Sequence, residues 1–265
     1  MNRLNTRDID RQGGTMLQST RTNPASVRVG DLPPHLAARS AGHAPNDRLD
    51  LTEEVVANLN FLELDGLVVI GGDDTLSYAA VLASKGVPVR GIPKTMDNDI
   101  PGIDYCIGFQ TAISRAAEFI NRIRSTAGSH SETILFRLFG RDAGFTAFEA
   151  AVVTWADRLL IPEVPSNIDT LANLIAQDRH NLQNYSIVVL SEGANLSVPV
   201  PEIGPTDAYG HRHKANVAEF LSSELSQRLP GVRLLPIDLP FFLRCGQPVN
   251  RMRLTSTWRS TVLTW

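Results

Sequence analysis

Two short stretches of this sequence bring together residue types that do chemistry. The first, Pro93-Lys94-Thr95-Met96-Asp97-Asn98-Asp99, holds one cation, one hydroxyl and two carboxylates. Two carboxylates with different neighbours can divide labour, one binding metal while the other accepts a proton. Lys94 is a point charge suited to a phosphate. The second stretch is Gly71-Gly72-Asp73-Asp74-Thr75. Paired glycines admit a ligand close to the backbone, and the free N–H groups of a following helix suit an anion. Asp73 and Asp74 would repel a phosphate, a conflict that a bridging Mg²⁺ resolves. The plainer readings are a tight turn with an Asp cap for the glycine stretch and a solvated polar turn for the lysine stretch. His211 and His213 could suggest a metal, but two histidines in a polar loop read as solvated. His130 fits a loop or helix cap, and Trp155 reads as core.

Both stretches need strands to position them. Gly66 to Gly72 is a short, β-branched, apolar run stopped by glycines, the pattern of a strand buried on both faces of a parallel sheet. Before it, Thr52-Glu53-Glu54 opens a helix, with Val55, Leu59 and Leu62 as its apolar stripe. Residues 22–50, rich in Pro, Gly and small residues without a period, read as a loop. Leu76 to Lys85 reads as a helix and Val87 to Ile92 as a strand. The alternation continues with a helix over Gln110–Ser125, a strand over Thr133–Phe139 and a helix from Phe145. A strand at Arg158–Ile161, a helix over Ile168–Asp178 and a strand at Ser186–Leu190 follow. The last pair is a helix over His213–Ser226 and a strand near Arg233. Such alternation predicts an α/β fold with doubly wound, mainly parallel sheets in two lobes. Their boundary is expected in the loop between Ser125 and His130.

Composition narrows the class. The chain has 265 residues, enough to bury a sizeable core. Hydrophobic residues make up 43% and charged residues 20%, with a net charge of −3. This is a globular composition with no electrostatic reason to bind nucleic acid. Two cysteines, Cys106 and Cys245, build neither a disulfide framework nor a CxxC pair. With no membrane-length apolar run and no signal-peptide core near Met1 to Arg11, a cytoplasmic location is expected.

Taken in order, the motifs resemble the phosphofructokinase family. Gly-Gly-Asp-Asp followed by Pro-Lys-Thr-Met-Asp-Asn-Asp is similar to that family's paired signature. Gly13-Gly14-Thr15 through Arg21, Gly108-Phe109-Gln110-Thr111-Ala112, Phe139-Gly140-Arg141, Ile161-Pro162-Glu163, Ser191-Glu192-Gly193 and Leu243-Arg244-Cys245-Gly246 agree in sequence order. The resemblance implies that Asp97 is the general base for the 1-hydroxyl of fructose 6-phosphate and that Thr95 holds the transferring phosphoryl group. It implies Mg²⁺ at Asp73 and Asp99, and charge stabilisation by Arg21 and Arg141. Phe139 and Gly140 would line the sugar site, Glu192 would accept a sugar hydroxyl, and Arg244 would grip the 6-phosphate. The family's arrangement implies a donor and catalytic lobe over residues 1–128, a sugar-phosphate lobe over 129–265, and a homo-oligomer, dimer or tetramer.

The phosphoryl donor turns on Asp74. ATP-using members usually have Gly at this position, where the backbone passes the α-phosphate of ATP, and a carboxylate there would repel it. Gly72, Asp74 and Lys94 together resemble the donor site of the pyrophosphate-using branch. Some positions depart from the family. Its opening strand and glycine loop are not matched within residues 1–12, and the match fades after Arg244, so a chain short at both ends is expected. Glu132 stands where an arginine often reaches the 6-phosphate across subunits, Phe241 where His or Tyr is usual, and Arg233 is a candidate substitute. Competing readings are an ATP-dependent enzyme, a catalytically silent subunit, and, more distantly, a lipid or NAD kinase.

Overall fold

The computed structural model describes residues 15–16, 19, 22–181, 183–204, 213–244 and 263–264, without the side chains of 213, 214, 244, 263 and 264. The chain divides into two compact units. The first holds residues 22–94 with 263–264; the second holds residues 95–203 and 214–244.

In the first unit, β1 (Val27–Arg28) pairs antiparallel with β2 (Arg48–Leu49). Between and before them lie the 3₁₀ turns Pro24–Ser26, Val29–Asp31 and Pro34–Ser40. The segment expected to be a loop is therefore an ordered series of turns. Next come α1 (Thr52–Phe61), β3 (Leu67–Gly71), α2 (Asp73–Ser84) and β4 (Val89–Thr95). The backbone N–H of Thr52 donates to Asp50 Oδ1 at 2.8 Å, which holds the start of α1. Strands β3 and β4 run parallel, with Gly71 opposite Pro93. The expected strand ended at Ile92; it continues through Pro93, whose missing N–H is tolerated near a strand end.

One expectation for this unit is corrected. Leu67 and Val69 pack with Val55 and Val56 of α1 and with Ala79 and Leu82 of α2. The alternate residues Val68 and Ile70 are 59% and 57% exposed. Strand β3 is thus buried on one face and not on both, because α1 and α2 lie on the same side of it. Leu62, counted in the stripe of α1, falls past its end and is exposed.

The second unit follows the doubly wound plan. Its elements are β5 (Ile107–Gly108), α3 (Phe109–His130), β6 (Glu132–Leu138), α4 (Phe145–Thr154), β7 (Arg158–Leu160), α5 (Ile168–His180) and β8 (Ser186–Ser191). They continue with β9 (Glu202–Ile203), β10 (His213–Lys214), α6 (Val217–Arg228), β11 (Arg233–Asp238) and α7 (Pro240–Arg244). A final short strand, β12 (Leu263–Thr264), pairs antiparallel with β4 in the first unit. Helix α6 starts at Val217, four residues later than expected. Asn216 caps it by accepting the N–H groups of Ala218 and Glu219 at 3.0 and 3.4 Å.

The sheet of this unit is parallel in the order β11-β6-β8-β7. Helices cover both faces. Leu135, Val188 and Leu190 pack with α5 and α6. Ile134, Phe136, Leu138, Ile187 and Val189 pack with α3, α4 and α7. Successive residues of one strand thus enter opposite cores, the reason such strands are apolar throughout. Trp155 is not part of either core: it closes α4 with a left-handed backbone (φ 51°) and is 87% exposed.

Candidate active site

In parallel sheets with helices on both faces, ligands meet the carboxyl ends of the strands. The second unit concentrates polar residues there. β6 carries Arg137 next to its last residue and runs into Phe139-Gly140-Arg141, β8 runs into Ser191-Glu192-Gly193, and β11 ends in Asp238. Two glycines let these ends close on each other. Gly193 donates its N–H to Gly140 O at 2.9 Å, and a Cβ on Gly193 would lie 1.7 Å from Arg141 O. Gly140 adopts φ +120°, where a Cβ would also meet Ala143 O at 2.3 Å. Only glycine fits at either point, and the fit brings the Arg141 loop against the strand end that carries Glu192. Gly144 N–H donates to Glu163 Oε1 at 2.8 Å, holding the start of α4.

The loop after β4 is held as firmly. The N–H of Asp97 donates to Thr95 Oγ1 at 3.1 Å. Thr146, fully buried at the start of α4, donates its hydroxyl to Met96 O. Asn98 takes a left-handed backbone (φ 55°). Its side-chain amide donates to Asp104 O at 3.0 Å and accepts from Cys106 N–H at 2.7 Å. Asp97 is thereby fixed in a largely desolvated position, and its Oδ1 is buried with no hydrogen-bond partner. Burial pushes its carboxyl up to about 6. Asp99, Glu192 and Asp142 add to the rise, and the Arg141 guanidinium opposes it. A buried carboxylate with an open acceptor, titrating near neutrality, is suited to general-base work.

Thr95, Asp97, Asp99, Arg141 and Glu192 thus act on one another within the second unit. Phe139 is half-buried and Gly140 buried in the loop that carries Arg141. In the first unit, Gly72 precedes α2 as its N-cap, and Asp73 and Asp74 occupy the first turn. Asp73 and Lys94 are exposed and Asp74 is half-buried. Gly72 and Lys94 follow the paired residues Gly71 and Pro93 at neighbouring strand ends. Gly71 has an internal role: a Cβ there would lie 2.4 Å from Thr75 Cβ. The Phosphofructokinase family profile matches residues 1–260.

The chain belongs to the phosphofructokinase family. It is 33% identical over 250 residues to pyrophosphate–fructose 6-phosphate 1-phosphotransferase of Dictyoglomus thermophilum, covering 93% of this chain and 66% of the relative. It is 34% identical over 248 residues to ATP-dependent 6-phosphofructokinase 3 of Streptomyces coelicolor, with the same coverage. The chain therefore spans just under two thirds of these relatives. The solved phosphofructokinase of Saccharomyces cerevisiae matches 98% of this chain and 33% of its own, with a TM-score of 0.68 at 21% identity. That likeness agrees with the α/β fold.

Other expected residues of this phosphofructokinase-family chain fall elsewhere. Arg21 and His211 lie outside the described residues. Arg244 ends α7, and its side chain, like that of His213, is likewise outside them. Arg233, the candidate substitute for a phosphate-binding arginine, is paired with a carboxylate: its Nη2 lies 3.2 Å from Oε1 of buried Glu132, its register partner at the starts of β11 and β6. The pair sits at the end of the sheet opposite Arg137 and Glu192. Sequence reasoning missed Asp142, whose Oδ2 lies 3.0 Å from Arg141 Nε, and Thr146. The first had a signal, a carboxylate beside the family's arginine; the second had none, because only the fold brings it to Met96.

Among the described residues, no three metal-ligating side chains cluster. Mg²⁺ bound to donor phosphates needs only one or two protein carboxylates, with water and phosphate oxygens completing the shell. The carboxylates of Asp73 and Asp99 are hard oxygen donors of that type. No helix of the described residues is long and apolar enough to cross a membrane.

Proposed function

We propose that this chain transfers a phosphoryl group from pyrophosphate to the 1-hydroxyl of fructose 6-phosphate, giving fructose 1,6-bisphosphate and phosphate. The observation that carries this reading is the buried, unpartnered Oδ1 of Asp97, flanked by Arg141 and Glu192. Asp97 takes the hydroxyl proton as the oxygen attacks. Thr95 and Arg141 meet the transferring group, whose charge they offset without forming a covalent bond. Arg21 joins them in this role. Glu192 accepts a hydroxyl of the sugar, Phe139 and Gly140 line its site, and Arg244 holds the 6-phosphate. Bound at Asp73 and Asp99, Mg²⁺ would supply positive charge to the donor oxygens. The same proposal divides the work between residues 1–128, for donor and catalysis, and residues 129–265, for the sugar phosphate, in a cytoplasmic homo-oligomer.

The choice of pyrophosphate rests on Gly72, Asp74 and Lys94. A carboxylate in the first turn of α2 is repelled by the additional α-phosphate of ATP, whereas a lysine ammonium attracts a compact diphosphate. The relatives include both pyrophosphate- and ATP-dependent enzymes at nearly equal identity. Overall identity does not separate the two donors, and the reading for pyrophosphate is carried by these few residues. The test is a coupled assay with fructose 6-phosphate and Mg²⁺, offering pyrophosphate and ATP in parallel. Turnover with pyrophosphate and a phosphate-dependent back reaction support the proposal. Turnover with ATP alone assigns the chain to the other donor, and none with either, from folded protein, indicates a silent copy.

A further inference from the structure

At the carboxyl end of the second unit's sheet, one arginine is placed between two carboxylates. Arg137 sits on β6 directly opposite Asp238 of β11 and Leu190 of β8, and its side chain is only 14% exposed. Its Nε donates to Asp238 Oδ1 at 2.5 Å, and Nη2 approaches Oδ2 at 3.5 Å. The third nitrogen, Nη1, lies 4.0 Å from Oε1 of Glu192. Asp238 alone supplies the countercharge that a buried guanidinium requires. The reach to Glu192 is additional. It orients a carboxylate that stands against the like charge of Asp97. The backbone of Glu192 is fixed independently, its N–H donating to Leu138 O at 3.0 Å, so Arg137 acts on the side chain.

We propose that Arg137, anchored by Asp238, is a positioning residue that aims the Glu192 carboxylate at the sugar hydroxyl. The inference rests on the reading of Glu192 as a sugar ligand. Arg137→Met is expected to raise the KM for fructose 6-phosphate roughly fivefold, leaving kcat and the KM for the phosphoryl donor within about twofold. In a Glu192→Gln background the same change should have almost no further effect on the sugar KM. Arg137→Lys, which keeps the charge but loses the two-pronged grip on Asp238, should fall between. Equal rises in both KM values, or full additivity with Glu192→Gln, overturn the inference. Should Arg137→Met fail to fold, Arg137→Met/Asp238→Leu removes both charges together and is read in the same way. A second arm needs no substrate: crystal structures of the wild type and Arg137→Met. Displacement of the Glu192 carboxylate supports the proposal and an unmoved carboxylate sinks it, even if fructose 6-phosphate proves not to be turned over and the functional reading fails.

Discussion

The two units build parallel strands from nearly the same alphabet and bury them differently. Leu67-Val68-Val69-Ile70 of β3 and Ile187-Val188-Val189-Leu190 of β8 are equally apolar. In β8 every one of these residues is buried, because helices lie on both faces of its sheet. In β3 two of the four are exposed, because α1 and α2 share one face. An apolar run therefore shows that a strand forms, not how many of its faces are covered. The doubly covered sheet carries Arg137, Arg141 and Glu192, and the loop after β4 brings Asp97 under the influence of Arg141 and Glu192, where a low dielectric strengthens each interaction. The singly covered sheet carries the glycine-aspartate turn and Lys94, where Asp73 and Lys94 stay exposed.

Breaking the charged cluster should give the largest effect. Asp97→Ala is expected to lower kcat by about 10²–10⁴, read in the coupled assay against an unchanged far-ultraviolet circular dichroism spectrum. An effect under tenfold would remove Asp97 from the role of base. In the wild type, a base whose carboxyl is raised to about 6 must be ionised to work, so activity should fall as pH drops through about 6. The same raised value means that the native state holds the proton more tightly than the unfolded chain does. The contribution of Asp97 to stability accordingly declines as pH rises from about 4 to about 6. Asp97→Asn should then raise the melting temperature at neutral pH while abolishing turnover.

The doubly covered core comes next. Ile134→Ala on β6 should cost about 2–5 kcal/mol, seen as lost hydrogen-exchange protection in β6 and β8. Asp74→Gly, in the singly covered unit, should raise ATP use relative to pyrophosphate about tenfold, or ~1.4 kcal/mol, without changing the overall fold. An unchanged donor ratio would take the discriminating role away from this position. The smallest expected effect is that of Ile70→Thr on the uncovered face of β3, within about 0.5 kcal/mol by the same exchange measurement. A loss comparable to that of Ile134→Ala would show that this face is covered in solution.

Much of the fold was legible because it rests on local signals. Strands β6 and β8 and helices α4 and α5 lie within a few residues of their expected ends, since apolar runs, glycines and caps set them; α3 instead runs on through the expected Ser125–His130 loop to His130. Where expectations failed, a helix cap, a neighbouring strand or a local backbone turn decided the outcome. α6 begins at Val217 rather than His213 because the Asn216 side chain caps the helix there. β4 crosses Pro93 because β3 continues beside it. Trp155 was assigned to the core by residue type alone, yet a left-handed backbone ends α4 there and leaves the ring exposed.

The site divides in the same way. Residue type and spacing alone singled out Lys94, Thr95, Asp97 and Asp99, because a cation, a hydroxyl and two carboxylates so close together are rare without a chemical use, whereas Arg141 came only through the family resemblance. Sequence also carried the family, through motifs spread over most of the chain. Only the tertiary structure showed that Arg233 is held by Glu132, that Thr146 holds Met96, and that Arg137 spans Asp238 and Glu192. These partners lie 50 to 101 residues apart for Thr146–Met96 and Arg137–Asp238. They meet through parallel register and helix packing, for which a single sequence has no local mark. Chemistry was readable one residue at a time; the pairing of charges was decided by which strand ends lie side by side.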